Sequence, residues 1–68
     1  MTLDEMKRSD RQMLTPYDIS EVLGSDPATI RLTARDYPER VRYPFTFVGN
    51  RMKVPRVAFI RWMEGQTD

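Results

Sequence analysis

Residues 15–35 read TPYDISEVLGSDPATIRLTAR, and few chain paths satisfy that string. Thr15-Pro16 has the form of a helix start. The hydroxyl accepts from the first turn, proline's missing N–H is harmless at the first helical position, and Asp18 sits three residues past the cap. Ile19, Val22 and Leu23 share one apolar face at three- and four-residue spacing, with Tyr17 adding bulk. Leu14, before the cap, is placed to staple back onto that turn. Gly24 ends the helix, because glycine enters the left-handed region without a Cβ clash. Asp26-Pro27 then repeats the opening device: proline pushes Asp26 out of the α region, which is the backbone an N-cap takes. The spacing predicts two short helices joined by a sharp corner. In the second, Ile30 and Ala34 face inward with Thr33 beside them, and Ala28, Thr29, Arg31, Leu32 and Arg35 lie outward or at the margin.

Downstream, Pro38 and Pro44 make Asp36–Pro44 a loop, with Tyr37 and Tyr43 expected to pack under it. Residues 45–54 alternate about Gly49-Asn50, which is a two-residue hairpin signal. Setting Val48 opposite Arg51 puts Phe47 opposite Met52 and Phe45 opposite Val54. These four apolar side chains then share one face, and Thr46, Val48, Arg51 and Lys53 the other. A two-stranded ribbon is marginal alone, so its apolar face must lie on the helices. Pro55 opens a third helix running to about Glu64, with Phe59, Trp62 and Met63 as its inner stripe, Ile60 on the flank and Gly65 as its end. Residues 1–12 are polar apart from Met1, Leu3 and Met6. They read as a flexible arm or a short frayed helix, and residues 66–68 as a tail. The fold class expected for residues 13–65 is mainly α with a small β-hairpin.

With 68 residues there is room for one small domain, and its core must be well packed because no staple is visible. Cysteine and histidine are both absent, so neither a disulfide nor a thiolate or imidazole metal site is expected, and no metal or other cofactor. The same absence removes the usual nucleophile–base sets, and each of the three glycines reads as punctuation rather than a phosphate cradle; an enzyme is not expected. Apolar runs are short and the first residues carry Asp4 and Glu5. We therefore expect no membrane span and no signal peptide, and a cytoplasmic location. Net charge is only +1, but it is unevenly spread. Residues 1–30 hold three cations against six anions, and residues 31–61 hold eight against two. A basic segment in a near-neutral chain suits a one-sided polyanion binder, although solvated arginines explain charge alone equally well. Arg31 and Arg35, four apart on a helix that follows a sharp corner, tip the reading toward a helix-turn-helix that presents its second helix to DNA.

The order helix, corner, helix, loop, hairpin, helix, together with VGNRMKVPRVAFI at 48–60, resembles the excisionase-type, MerR-like winged-helix family of small bacterial and phage proteins. The resemblance covers about Met13 to Glu64, and the Gly-Asn-Arg turn leading into Val-Pro-Arg is its most specific part. It implies a winged helix-turn-helix that binds double-stranded DNA in a sequence-directed way. The role would be that of a recombination directionality factor or a small transcriptional regulator of a prophage or mobile element. Carried onto this chain, Ala28, Thr29, Arg31, Leu32 and Arg35 read the major groove, and Asn50, Arg51 and Lys53 form the wing at the neighbouring minor groove. An integrase or recombinase is the protein partner implied, with several copies side by side on repeated sites. The corner departs from the family pattern in having Ser25 where an apolar residue is usual, followed by Asp26, which repels phosphate unless it is taken up as a cap. Two other readings stay open: a protein-interaction module of the same fold, and the DNA-binding domain of a phage terminase small subunit.

Overall fold

A computed structural model describes residues 1–65; the expected tail, 66–68, lies outside them. The elements run α1 (Leu3–Arg8), β1 (Met13–Leu14), α2 (Pro16–Leu23), α3 (Pro27–Asp36), a 3-10 turn at Pro38–Arg40, β2 (Thr46–Val48), β3 (Arg51–Pro55) and α4 (Arg56–Gly65). The fold is mainly helical with a small three-stranded antiparallel sheet of order β1-β3-β2. This layout is compatible with a helix-turn-helix followed by a wing.

The corner forms for local reasons. The Thr15 hydroxyl accepts from the Asp18 N–H at 3.2 Å, and the Asp18 carboxylate accepts from the Thr15 N–H at 2.9 Å, so two end-of-helix donors are satisfied reciprocally. Gly24 has φ 71°, and its N–H donates to the Ser20 carbonyl at 2.8 Å. Asp26 caps α3 with one carboxylate oxygen, which accepts from Ala28 at 3.1 Å and Thr29 at 3.4 Å. Asp26 is thus taken up as a cap, as the acidic corner required.

β2 and β3 pair as Phe47↔Met52 and Val48↔Arg51, with Thr46↔Lys53 beyond them. Gly49 has φ 62° while Asn50 has negative φ, the pattern of a type II′ turn. Three expectations are corrected here. β2 begins at Thr46, so Phe45 and Val54 are not strand partners. Val54 pairs instead with Leu14, and Met13 pairs with Pro55, so Leu14 lies in a third strand rather than simply stapling a helix. β3 is therefore the central strand of three and not half of a two-stranded ribbon. Pro55 closes that strand, and α4 starts one residue later than expected.

The core comprises Met6, Leu14, Ile19, Ile30, Ala34, Tyr43, Met52, Val54, Phe59 and Ile60. On α4, Ile60 is buried with Phe59, whereas Trp62 and Met63 are half-buried at the core's edge, so Ile60 belongs to the stripe and not to its flank. Tyr43 packs edge-on to Phe59 and to Trp62, at centroid distances of 5.2 and 5.3 Å. Tyr37 does not pack under the loop: it is exposed, and the Arg40 guanidinium lies 4.5 Å over its ring.

Of the two readings offered for residues 1–12, a short helix is what forms, and it is packed onto the domain. α1 has its own capping box, between Thr2 and Glu5, and packs against α4 with Met6 fully buried. Arg56 holds this segment: Nη1 donates to the Met6 carbonyl at 2.9 Å, Nε to the Arg11 carbonyl, and the backbone N–H to the Gln12 carbonyl. From the same segment, Arg11 pairs with the buried Asp18 carboxylate at 2.7 Å.

Candidate nucleic-acid interface

Two neighbouring grooves connect α3 to the β2–β3 hairpin. The larger, about 360 Å³, is lined by Arg31, Arg35, Phe47, Gly49 and Asn50. The second, about 180 Å³, runs from Thr15 and Pro16 past Arg31 and Asn50 to Arg51, Met52 and Lys53. Arg31 and Asn50 line both, so the two form one concave strip along the wing side of α3. Four cations from α3 and β3 border it, and no carboxylate does.

The strip follows from local structure. Capping by Asp26 fixes where α3 starts. Burial of Ile30 and Ala34 fixes its rotation, which turns Ala28, Thr29, Arg31, Leu32 and Arg35 outward. The Phe47↔Met52 register buries Met52 and leaves Arg51 exposed at the tip, with Lys53 half-buried behind it. Among the described residues no carboxylate pairs with Arg31. Arg35 Nε lies 3.2 Å from the carboxylate of its neighbour Asp36, but both side chains are more than half or half exposed, at 62% and 50%, so a polyanion can displace the contact readily.

Of the eight residues expected from sequence, Arg31, Arg35, Asn50, Arg51 and Lys53 come together in this strip. Ala28 and Leu32 lie on the outward face of α3 but line neither groove; Leu32 is notable as an exposed large apolar side chain. Thr29 is also exposed, on the opposite flank of α3, where it lines a different cleft. Sequence reasoning missed Thr15 and Pro16, which border the strip from the start of α2. Their role as a helix cap gave no hint of a second use. Phe47 was placed on the inner face of the hairpin, yet it is half-buried and lines the larger groove.

The lining offers positive charge and hydrogen-bond donors. Guanidinium groups donate along fixed planar directions that match phosphate oxygens and the acceptor edge of guanine. Among the described residues no group of His, Cys, Asp and Glu side chains is placed to hold a metal ion, and no helix is long and apolar enough to cross a membrane. Comparison with family models, with curated proteins and with solved structures gave no match.

Proposed function

We propose that this chain is a sequence-directed DNA-binding protein built as a winged helix-turn-helix. Its role is that of an excisionase-type directionality factor or a small regulator of a mobile element. α3 enters the major groove, and the Gly49-Asn50 tip reaches the adjacent minor groove. Arg31 and Arg35 are the base-reading arginines, while Arg51 and Lys53 contact phosphates. The observation that carries this reading is the shared strip. Arg31 and Asn50, distant in sequence, line the same two grooves, with Arg35, Arg51 and Lys53 beside them and no carboxylate along the lining.

The test is an anisotropy titration of labelled duplex at several salt concentrations. With Arg51 and Lys53 on phosphates, the log–log salt slope on B-DNA is expected to be about −2 or steeper. Absence of salt-sensitive binding at low ionic strength would sink the proposal and turn attention to a protein partner for the same face. If binding is found, protection mapping across attachment and promoter regions separates an excision role from a regulatory one.

A further inference from the structure

The wing side is only one flank of α3. At 3.6 residues per turn, Arg31 and Arg35 fall on that flank, Thr29 and Thr33 on the other, and Ala28 and Leu32 between them. On the second flank a cleft of about 150 Å³ opens between α3, the end of α2 and the 3-10 turn. Its polar lining is Ser25, Thr29, Thr33, Arg40 and Tyr43, and its apolar floor is Leu23, Ile30 and Val41.

The polar lining has two properties. All five side chains can donate, and there is no carboxylate among them. Among the described residues, none of the four hydroxyls has a hydrogen-bond partner, and the Arg40 guanidinium has only the ring of Tyr37. Tyr43 is the most informative. The residue is nine-tenths buried, its ring packs edge-on to Phe59 and Trp62, its hydroxyl is open to solvent, and Tyr43 is one of the residues that line this cleft. Of the acids nearest in sequence, Asp26 beside Ser25 is occupied by the N–H groups of Ala28 and Thr29, Asp36 is paired with Arg35, and Glu39 beside Arg40 does not line the cleft. Arg40 is held in place by the 3-10 turn, its N–H donating to the Tyr37 carbonyl at 2.9 Å.

Four hydroxyls free of protein partners and one guanidinium, around a small cleft with no carboxylate in its lining, suit an acceptor-rich anion. We propose that this cleft is a phosphate oxyanion site, with Arg40 supplying the charge and the Tyr43, Thr29 and Thr33 hydroxyls supplying hydrogen bonds. Resting on the DNA reading above, its occupant is a backbone phosphodiester on the far wall of the groove that α3 enters. α3 is then gripped by phosphates on both flanks: by Arg51 and Lys53 through the wing, and by Arg40 on the other side. The same chemistry would accept free phosphate, and the test separates the two sources.

Duplex titrations against salt are run for the wild type, Arg40→Gln, Tyr43→Phe and, as a wing control, Lys53→Gln. Arg40→Gln is expected to weaken binding by about tenfold on every sequence and to flatten the salt slope by about one. Tyr43→Phe keeps the ring packing and is expected to lose about threefold to tenfold from one hydrogen bond. In parallel, amide shifts of Ser25, Thr29 and Thr33 are followed by NMR during titration with inorganic phosphate. Saturable shifts in the wild type that vanish in Arg40→Gln support the oxyanion site even if duplex binding fails, and assign it to a free anion. Duplex binding that Lys53→Gln weakens while Arg40→Gln and Tyr43→Phe match the wild type, with no phosphate-induced shifts, overturns the cleft proposal and leaves the DNA reading standing. Loss of both duplex binding and phosphate shifts in the wild type overturns the two together.

Discussion

Arg56 and Arg11 tie the N-terminal segment to the rest of the domain, whereas Arg31 and Arg51 line the concave strip, and the two pairs are held very differently. The Arg56 guanidinium closes on two backbone carbonyls, those of Met6 and Arg11, and Arg11 closes in turn on Asp18. Arg31 and Arg51 are exposed and, among the described residues, paired with no carboxylate. The first pair contributes to folding and has little left to offer a ligand. The second contributes little to folding and leaves its donors open to solvent. Charge counts cannot tell these uses apart; partner atoms can.

The strongest way to test the contrast is at Met6, the apolar anchor of the clasped segment. Met6 is fully buried although α1 is only six residues long, so the segment is held by packing and not by helix propensity. Met6→Ala is expected to destabilise the protein by about 2–5 kcal/mol in urea unfolding. If residues 1–12 were an arm, the change would be within error.

Next in size is a paired experiment. Arg56→Ala removes two hydrogen bonds from a charged donor and is expected to lose about 1.5–3 kcal/mol of stability, with the salt slope of DNA binding unchanged at temperatures where the fold persists. Arg31→Ala is expected to leave the unfolding midpoint within about 0.5 kcal/mol of wild type while lowering duplex affinity by about tenfold or more. Equal effects of both substitutions on both readouts would erase the distinction between the two sets of arginines.

Asp18 sharpens the contrast through pH. Burial acts to raise its pKa. The hydrogen bonds from the Thr15 backbone, Arg11 and the Thr15 hydroxyl, with the Arg11 charge, outweigh it and hold the carboxyl below the ordinary value of 3.8. A group depressed in the folded state stabilises above its unfolded pKa, and that stabilisation is lost as pH falls through the folded value. The midpoint should therefore be flat from neutrality to about pH 4 at this site and fall below it. Asp18→Asn is expected to lose about 1–2 kcal/mol at pH 7 and to flatten the acid decline, since the cap and the Arg11 pair are weakened together.

What could be read in the chain depended on how local the cause was. The corner was legible because Thr15, Gly24, Asp26 and Pro27 act through their own neighbours. The hairpin was legible because alternation about Gly49-Asn50 admits one sensible register. β1 was not, since two residues set no period and Met13–Leu14 becomes a strand only because β3 lies beside it. Met6 looked like a stray apolar residue because its burial is made by α4, about fifty positions away. The candidate site divides in the same manner. The rotation of α3 is written in Ile30 and Ala34, so the outward set was readable. That Arg31 meets Asn50 and not the Arg40 side is a tertiary fact. Arg40 itself sat in what read as loop, with no period to aim it.

The smallest expected effect is at Lys7, whose ammonium lies 2.7 Å from the Glu64 carboxylate, the same separation as Arg11 and Asp18. Equal distance does not mean equal worth. The Lys7 and Glu64 side chains are 44% and 51% exposed, whereas the Asp18 side chain is 12% exposed. Water and salt screen the exposed pair, and ordering two long side chains opposes it, so such pairs contribute little. Lys7 does have a raised pKa from its hydrogen bond to Glu64, but a lysine remains charged at neutral pH with or without that shift. Lys7→Met should leave the urea midpoint unchanged at physiological salt. A marked drop would mean that the α1–α4 contact is held electrostatically from its rim, and the ranking of Met6 and Arg56 above it would have to be reversed.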